Sequence, residues 1–429
     1  MSDWQQIALG NLQTRVRHKV AVPPQGSRAS MSGWRQVSLS EVVTRVTTKN
    51  VDGTNQNVLT VSAEHGLIAQ ESFFTKKVAS KDTSGYYVVA PGQFVYNKST
   101  SKSAAYGTVA RNLSDAPGIV SPLYFVFEAK DGAALPEYLE LALNSIQFFG
   151  SLAGMLREGA RSHGLLNVRL KEFYAATVML PPLPVQKRIV ETTSAVEEQI
   201  SALDTEAEAL TRVESRLRRD LFSSQDAATM PAGKKFDMLL GRQKSARQSV
   251  GEHVHPYLRA ANLGGGTLDL SDLKTMNFEP HEQQKYAVLP DDILLVEGGA
   301  GLGHSARWAG KVGGFVGFDK HVIRLRPRSG VSTAEYALHW CRWANETGRF
   351  AAQATGTGIK ALGFARASKM AVPDISVEQQ DEMTAPLDAL GRQSDAVRAE
   401  AARLRQVRAG VLSGLLDRTI DIESAELGV

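Results

Sequence analysis

The residues with the most catalytic potential do not fall into a recognised catalytic pattern. Gly299-Ala300-Gly301-Leu302-Gly303 has enough glycine to cradle a phosphate, but His304 and Ser305 follow where a phosphate-binding loop places Lys and then Ser or Thr. It reads as a loop at the end of a strand. Pro290-Asp291 and Pro373-Asp374 could each supply the first acid of a metal-dependent nuclease. Downstream stand Glu297-Gly298-Gly299 and Glu378-Gln379-Gln380, so the lysine two positions after the second acid is missing. His253 and His255 have no cysteine neighbours and read as surface or strand histidines rather than zinc ligands. Neither a Gly-x-Ser-x-Gly elbow nor an Asn/Asp-Pro-Pro-aromatic motif occurs. The expectation is a chain with no catalytic residues and no metal site of its own.

What the sequence offers instead is two sets of basic and polar side chains interleaved with aromatics. The first holds Lys76, Lys77, Lys81, Asn97, Lys98, Lys102, Tyr106 and Arg111, followed by Arg157, Arg161, His163 and Arg169. The second holds Arg259, Asn262, Lys274, Arg307, Trp308, Lys311, Lys320, Arg342, Arg349, Lys360 and Arg366. Arg and Lys hold phosphates, and Arg, Lys, Asn and Gln also reach base edges in the major groove of DNA. A share of each set is ordinary solvated surface. Two related but divergent sets suit a two-part site on a long polymer better than one compact pocket.

The elements that must position these sets are written twice. LPVQKRIVETTSAVEEQISALDTEAEALTRVESRLRRDLF, in the middle of the chain, places Ile189, Val196, Ile200, Leu203, Ala207, Leu210, Leu217 and Leu221 at steps of three and four once Thr193 and Glu214 fill the gaps. That is a coiled-coil seam. It returns 194 positions later as Met383, Leu387, Leu390, Ser394, Val397, Ala401, Leu404, Arg408, Val411 and Leu415. Each narrow stripe needs a helical partner, so the two are expected to pair as an antiparallel coiled coil rather than lie on separate domains. Pro386 should kink or delay the second helix.

Before each helix the pattern is mixed. Strands are expected at 56–62, 85–90, 93–97 and 122–128, with a helix over 136–156, and again at 255–259, 286–288, 292–297 and 321–326. Pro91-Gly92, Pro117-Gly118 and Asp131-Gly132 mark turns. YVVAPGQFV matches YAVLPDDIL, and Glu137-Tyr138 matches Glu335-Tyr336. The fold class is therefore mixed α/β (α+β), with two cycles of domain and long helix in a pseudo-two-fold internal repeat. The expected boundaries are an N-terminal extension at 1–30, a first domain at 31–180, a central helix at 181–223, a second domain at 224–375, a C-terminal helix at 376–417 and a tail at 418–429. Residues 1–16 nearly repeat 31–46, which marks 1–30 as a poorly anchored extra copy, and 223–235 reads as a linker.

At 429 residues with a net charge of +4, the chain can carry a polyanionic partner if its cations gather on one face. Cys341 is the only cysteine, so no disulfide forms within the chain, and a reducing cytoplasmic setting is expected. No apolar run is long enough to span a membrane, and MSDWQQIALG lacks the shape of a signal peptide.

Arg157-Glu158-Gly159-Ala160-Arg161, then 166–173, then LPPLPVQKRIV at 180–190 resemble the end of a target recognition domain and the start of a spacer helix in DNA-specificity subunits of Type I restriction-modification systems. HPYLRAANLGGGTLDLSDLKTM and YAVLPDDILLVEGGAGLGHSA are similar to the second recognition domain of such subunits, so the resemblance covers residues 31–417. One departure is Val185, where an acidic residue usually precedes the Gln. The resemblance implies that each domain reads half of a bipartite double-stranded DNA target while the helices set the spacing. It also implies docking of two modification subunits that use S-adenosylmethionine, and of restriction subunits that use ATP and Mg; this chain itself would bind no cofactor. A Type IIB-like specificity subunit, or a coiled-coil scaffold that binds proteins rather than DNA, are the alternatives.

Overall fold

A computed structural model describes residues 33–62, 65–73, 82–99, 106–154, 161–162, 165–166, 168–223, 228–244, 251–310 and 312–420. The duplicated start at 1–30 lies outside them. The chain forms two compact units: Met1–Val196 with Gln406–Val429, and Glu197–Arg405.

In the first unit, β1 (Arg35–Ser38) leads through α1 (Leu39–Val42) into β2 (Val43–Val46), followed by the hairpin β3 (Leu59–Ser62) and β4 (Gly66–Ala69). Then come β5 (Tyr87–Val89), β6 (Phe94–Asn97), β7 (Thr108–Arg111), β8 (Gly118–Val120) and β9 (Phe125–Ala129). α2 (Pro136–Leu143) and α3 (Ile146–Ala153) follow, then β10 (Arg161–Ser162), β11 (Leu165–Leu166), α4 (Leu170–Ala175) and β12 (Thr177–Leu180). The central sheet has the order β2-β9-β6-β7, antiparallel throughout. Alternation along its strands makes two cores. Phe94, Tyr96, Val109 and Phe127 face the helices with Tyr138, Leu139 and Phe148, while Val95, Ala110 and Val126 face Leu59, Val61, Val89 and Val120.

The long helix α5 (Leu183–Ser223) follows. The second unit then repeats the plan. It runs β13 (Thr229–Pro231), α6 (Ala232–Lys235), β14 (Phe236–Leu240), β15 (Val254–Leu258), β16 (Leu263–Gly264), β17 (Thr267–Leu268), β18 (Lys274–Asn277), α7 (Pro280–Tyr286), β19 (Ile293–Val296) and β20 (Ser305–Arg307). β21 (Gly317–Phe318), β22 (Val322–Pro327), α8 (Ala334–Glu346), α9 (Arg349–Gln353), α10 (Phe364–Ala367) and β23 (Ala371–Pro373) follow, then α11 (Val377–Leu416), which belongs to this unit as far as Arg405 and to the first unit from Gln406. Its sheet, β14-β22-β19-β20, splits the core in the same way: Ile293, Leu295, Ile323 and Leu325 face Tyr336 and Trp340, while Leu294, Val296 and Val322 face Leu258 and Phe318. β13 pairs with β23 as β1 pairs with β12.

Three expectations need correcting. Residues 229–235 are not linker, because their small and polar side chains conceal a strand whose partner, β23, lies far along the sequence. Lys235 is 1% exposed, with Nζ donating to Ile375 O at 3.0 Å. The expected strand at 286–288 does not form: Tyr286 ends α7, which Pro280 opens with Glu279 and Glu282 forming a capping box, and 287–288 are irregular. The helix over 136–156 is two helices: Asn144 is held by both backbone groups of Val109 in β7, and Ser145 caps the next helix by accepting from Phe148 N at 3.2 Å.

The seam is present. In the first unit Ile189 is fully buried with Leu415 and Leu416, and Val411 packs against the same core. Thr193 is buried and returns its hydroxyl to Ile189 O at 2.8 Å, while Val196 is half-buried. In the second unit Ile200, Ala207, Met383, Leu387 and Ala401 are buried, and Leu203, Leu210, Leu217, Leu390, Val397 and Leu404 are half-buried. The hydroxyls of Thr211 and Ser394 lie 3.3 Å apart, and Arg405 donates to Asp204 at 2.5 Å, so one segment ascends as the other descends and the two run antiparallel in this unit. α11 runs unbroken through Pro386 and begins before it, so the proline does not delay the helix.

One residue near the start of each long helix ties it to the domain it follows. Gln186, 1% exposed, accepts from Leu135 N at 2.8 Å and donates to Pro181 O at 2.8 Å. Gln380, fully buried, accepts from Thr333 N at 3.1 Å and donates to Val331 O and Ile375 O at 2.9 and 3.0 Å. Leu at either position fills the volume but strands buried backbone groups. Gln380→Leu is therefore expected to cost about 3 kcal/mol in urea unfolding, and an unchanged midpoint would contradict the clamp.

A second polar cluster lies inside the second unit. Arg218, 3% exposed, contacts Glu214 and Glu346 and donates from Nε to His339 Nδ1 at 3.2 Å. With Nδ1 accepting, the imidazole proton is on Nε2, 3.0 Å from Asp388 Oδ1. Burial holds His339 below its ordinary range, and Arg218 and Arg342 add to this against the pull of Asp388. The unfolded chain therefore takes up this proton at a higher pH than the folded one. Stability is full above about pH 6.5 and falls on acidification below it. Urea midpoints across about pH 5 to pH 8 should show that fall, and His339→Gln should flatten it.

Candidate nucleic-acid interface

In both units a short hairpin following the helices docks on the end of the sheet's third strand. In the first unit β10 and β11 pair Arg161 with Leu166, and Leu166 N donates to Lys98 O at 3.0 Å, just past the end of β6. In the second, bridges join Thr355 to Ala361 and Gly298 to Ala361. Leu362 N donates to Glu297 O at 2.8 Å and Gly299 N to Lys360 O at 3.0 Å, just past the end of β19. Gly299–Gly301 forms a single 3-10 turn there, consistent with a loop at a strand end.

The same backbone plan carries different side chains. In the first unit Asn97 is half-buried, its side-chain oxygen accepting from Ser99 N at 2.9 Å. Lys98 lies 4.9 Å over the Phe125 ring, and burial lowers its pKa. Tyr106 stacks on Phe149 at 6.1 Å, and its carbonyl accepts from Tyr96 at 2.7 Å. In the second unit Glu297 occupies the strand end, its pKa raised by burial and opposed by the charges of His321, Lys320 and Arg366. Lys360 is exposed on the hairpin. Arg366 spends its guanidinium on the hairpin, with Nε to Leu362 O at 2.7 Å and Nη2 to Thr355 Oγ1 at 2.8 Å. Lys320, Lys360 and Arg366 are thus gathered by loops that meet at Glu297. His321 joins them without having been singled out in the sequence, and Glu297, which the sequence offered only as the second acid of an incomplete nuclease pattern, joins them because the fold brings 297 beside 321 and 366.

Other candidates are placed elsewhere. Asn262, 2% exposed, accepts from Arg259 N and donates to Asp269 O and Asp272 O, which holds a turn. Trp308, 3% exposed, is core. Arg259 pairs with Asp272 at 2.5 Å. Arg111 pairs with Glu137 at 2.6 Å and Glu140 at 3.3 Å, and Arg307 with Glu335 at 2.6 Å and Asp291 at 2.6 Å. These two arginines occupy equivalent places: Arg111 is opposite Phe94 and Arg307 opposite Ile293, each tying its sheet edge to the helix behind. Asp291 holds φ +74° in the turn where the first unit has Gly92. Arg111→Ala is expected to lower stability by about 1 kcal/mol in urea unfolding; an unchanged midpoint would show that these ion pairs contribute nothing to the fold. Lys76, Lys77, Lys81, Lys102 and His163 lie outside the described residues, and Arg161 is described by its backbone alone. Among the described residues no group of three His, Cys, Asp or Glu is placed to hold a metal ion, and no helix is long and apolar enough to cross a membrane.

The architecture is thus a mixed α/β module used twice, each copy followed by a long helix of a coiled-coil pair. Among solved structures it is shared by a chain of the type I R-M system, solved in work on complex assembly and conformational transition. That chain is 17% identical, with a TM-score of 0.57 over 91% of this chain and 99% of that one. At this identity the likeness establishes the fold. The HsdS subunit from Thermoanaerobacter tengcongensis matches at 17% identity and TM-score 0.42, over 93% of this chain and 100% of its own. The Type-I restriction-modification system S subunit from M. genitalium matches at 14% and 0.47, over 91% and 98%. No protein-family model and no curated relative matches the sequence.

Proposed function

We propose that the chain is the DNA-specificity subunit of a Type I restriction-modification complex, each recognition domain reading one half of a bipartite target. The observation that carries this reading is the pair of equivalent hairpins docked on equivalent strand ends, one beside Asn97 and Lys98 and the other beside Glu297, Lys320 and Lys360. One backbone plan with divergent polar side chains is what reading two different half-sites requires. The paired helices set the spacing of the half-sites and dock two modification subunits. Restriction subunits complete the complex. S-adenosylmethionine, ATP and Mg belong to those partners, and this chain catalyses nothing alone.

Equilibrium binding of the full chain to DNA across salt tests the reading against a protein-binding scaffold. With about six phosphates neutralised, affinity should fall about a thousandfold between about 50 and 200 mM salt. Absent or salt-insensitive binding would remove DNA recognition. For partner docking, Lys187, Arg188, Glu197, Arg212 and Arg216 are exposed on α5. Reversing several of these charges should weaken co-purification with the modification subunit and leave thermal unfolding unchanged. Undiminished co-purification would mark these charges as ordinary surface.

A further inference from the structure

We propose that the tip of the second unit's hairpin reads a base directly, Ile359 packing on the methyl of a thymine in the major groove while Lys360 holds a neighbouring phosphate. The proposal rests on the DNA-recognition reading and assigns part of it to two residues. Ile359 is 79% exposed, the most exposed large apolar side chain among the described residues, and Thr357, Gly358 and Lys360 around it are exposed as well. A single exposed apolar residue is common on protein surfaces. This one is set apart by how firmly its backbone is held and by what surrounds it.

Thr355 and Ala361 exchange both backbone hydrogen bonds, at 3.0 and 2.9 Å, which closes the hairpin. Gly356 sits at φ +133°, and a Cβ there would come within 2.4 Å of Ile359 O, so the turn is tight and admits only glycine. Gly299 N to Lys360 O at 3.0 Å seats the tip on the sheet end, and Arg366 braces it through Thr355 and Leu362. Arg366 is thus a positioning residue. A β-branched side chain on a braced turn loses little freedom on contact. The major groove is wide enough for a two-stranded ribbon, so this narrower bridge-closed turn fits it; there thymine alone displays a methyl and apolar side chains read it. Lys320 and Lys360 supply positive charge at the same end of the unit for the phosphates that flank such a base.

The experiment selects binding sites from random-sequence DNA with the full chain, then measures affinity for the selected site with each thymine replaced by uracil, which deletes only the methyl. For the wild-type chain, one thymine in one half-site should lose about fivefold in affinity on replacement. Ile359→Ala should lose about the same on the thymine site and become indifferent to the methyl. Lys360→Gln should leave the selected sequence unchanged and lower the slope of log affinity against log salt by about one. Both side chains are exposed, so thermal unfolding should be unaltered and reports any folding defect. If the wild-type chain binds selectively but Ile359→Ala keeps its full sensitivity to every thymine methyl, this proposal fails and the DNA reading stands. If the wild-type chain selects no sequence, both fail.

Discussion

If the chain reads DNA as proposed, exchanging residues 235–372 for the corresponding domain of a chain of the same fold is expected to change one half of the methylated sequence completely and leave the other half as it was. The reason lies in how each unit is built. The second domain has its own two-sided core, with Ile293, Leu295, Ile323 and Leu325 on one face of the sheet and Leu294, Val296 and Val322 on the other. Its loops around Glu297, Lys320 and Lys360, proposed to face DNA, are held by hydrogen bonds within that domain. The exchange should keep Gln380 and its partners' backbone geometry, because Thr333 N and Val331 O lie inside the exchanged segment while Ile375 O lies outside it. Methylome sequencing of a host carrying the hybrid and its modification subunits reads out the result. A change in both halves at once would show that the domains do not read independently.

Deleting one heptad from each long helix, Ala202 to Glu208 with Ala396 to Ala402, is expected to shorten the gap between half-sites by about three base pairs without altering either half. Seven residues at about 1.5 Å each are about 10 Å, and base pairs are stacked about 3.4 Å apart. Removing whole heptads keeps the seam in phase, with Ile200 and Leu210 still pointing at the partner helix. The two deletions fall opposite one another, since Asp204 meets Arg405 and Ala207 meets Ser394. Three base pairs also rotate the second half-site by about 100°, so modification should be slower. Any variant that still methylates must report the shorter gap. Methylation of the original motif with its spacing intact would show that the helices do not set the distance.

How far the sequence carried the account depended on whether the signal was local. The helix seam was legible down to Thr193 and Glu214 because a period of three and four survives any tertiary context, and its recurrence identified a second copy. Strands with clean alternation, such as 93–97 and 321–326, lie within a residue or two of β6 and β22. Signals that depend on a distant partner were lost. Thr229–Pro231 has no strand pattern of its own and is a strand only because β23 pairs with it. Gln186 and Gln380 look like ordinary polar positions on helices, and the backbone N–H groups they accept from, Leu135 N and Thr333 N, lie some fifty residues upstream. Among the site candidates, composition could not separate an arginine facing solvent from one satisfied by carboxylates. Glu137 stands beside Arg111 and Glu335 beside Arg307, partners that only the fold supplies. The repeat held a clue, since both arginines precede a matched Glu-Tyr pair by similar distances. Asn262 and Trp308 carry the right chemistry but are buried, which no local pattern reports.

The central claim is that this chain alone dictates a two-part DNA sequence, and methylome sequencing tests it most directly. A host lacking restriction-modification systems would express the modification subunits first without this chain and then with it. The account predicts no new methylation in the first case. In the second it predicts adenine methylation confined to one asymmetric motif, made of two specified halves separated by a fixed unspecified gap. Methylation without this chain, or a single uninterrupted motif in its presence, would contradict it.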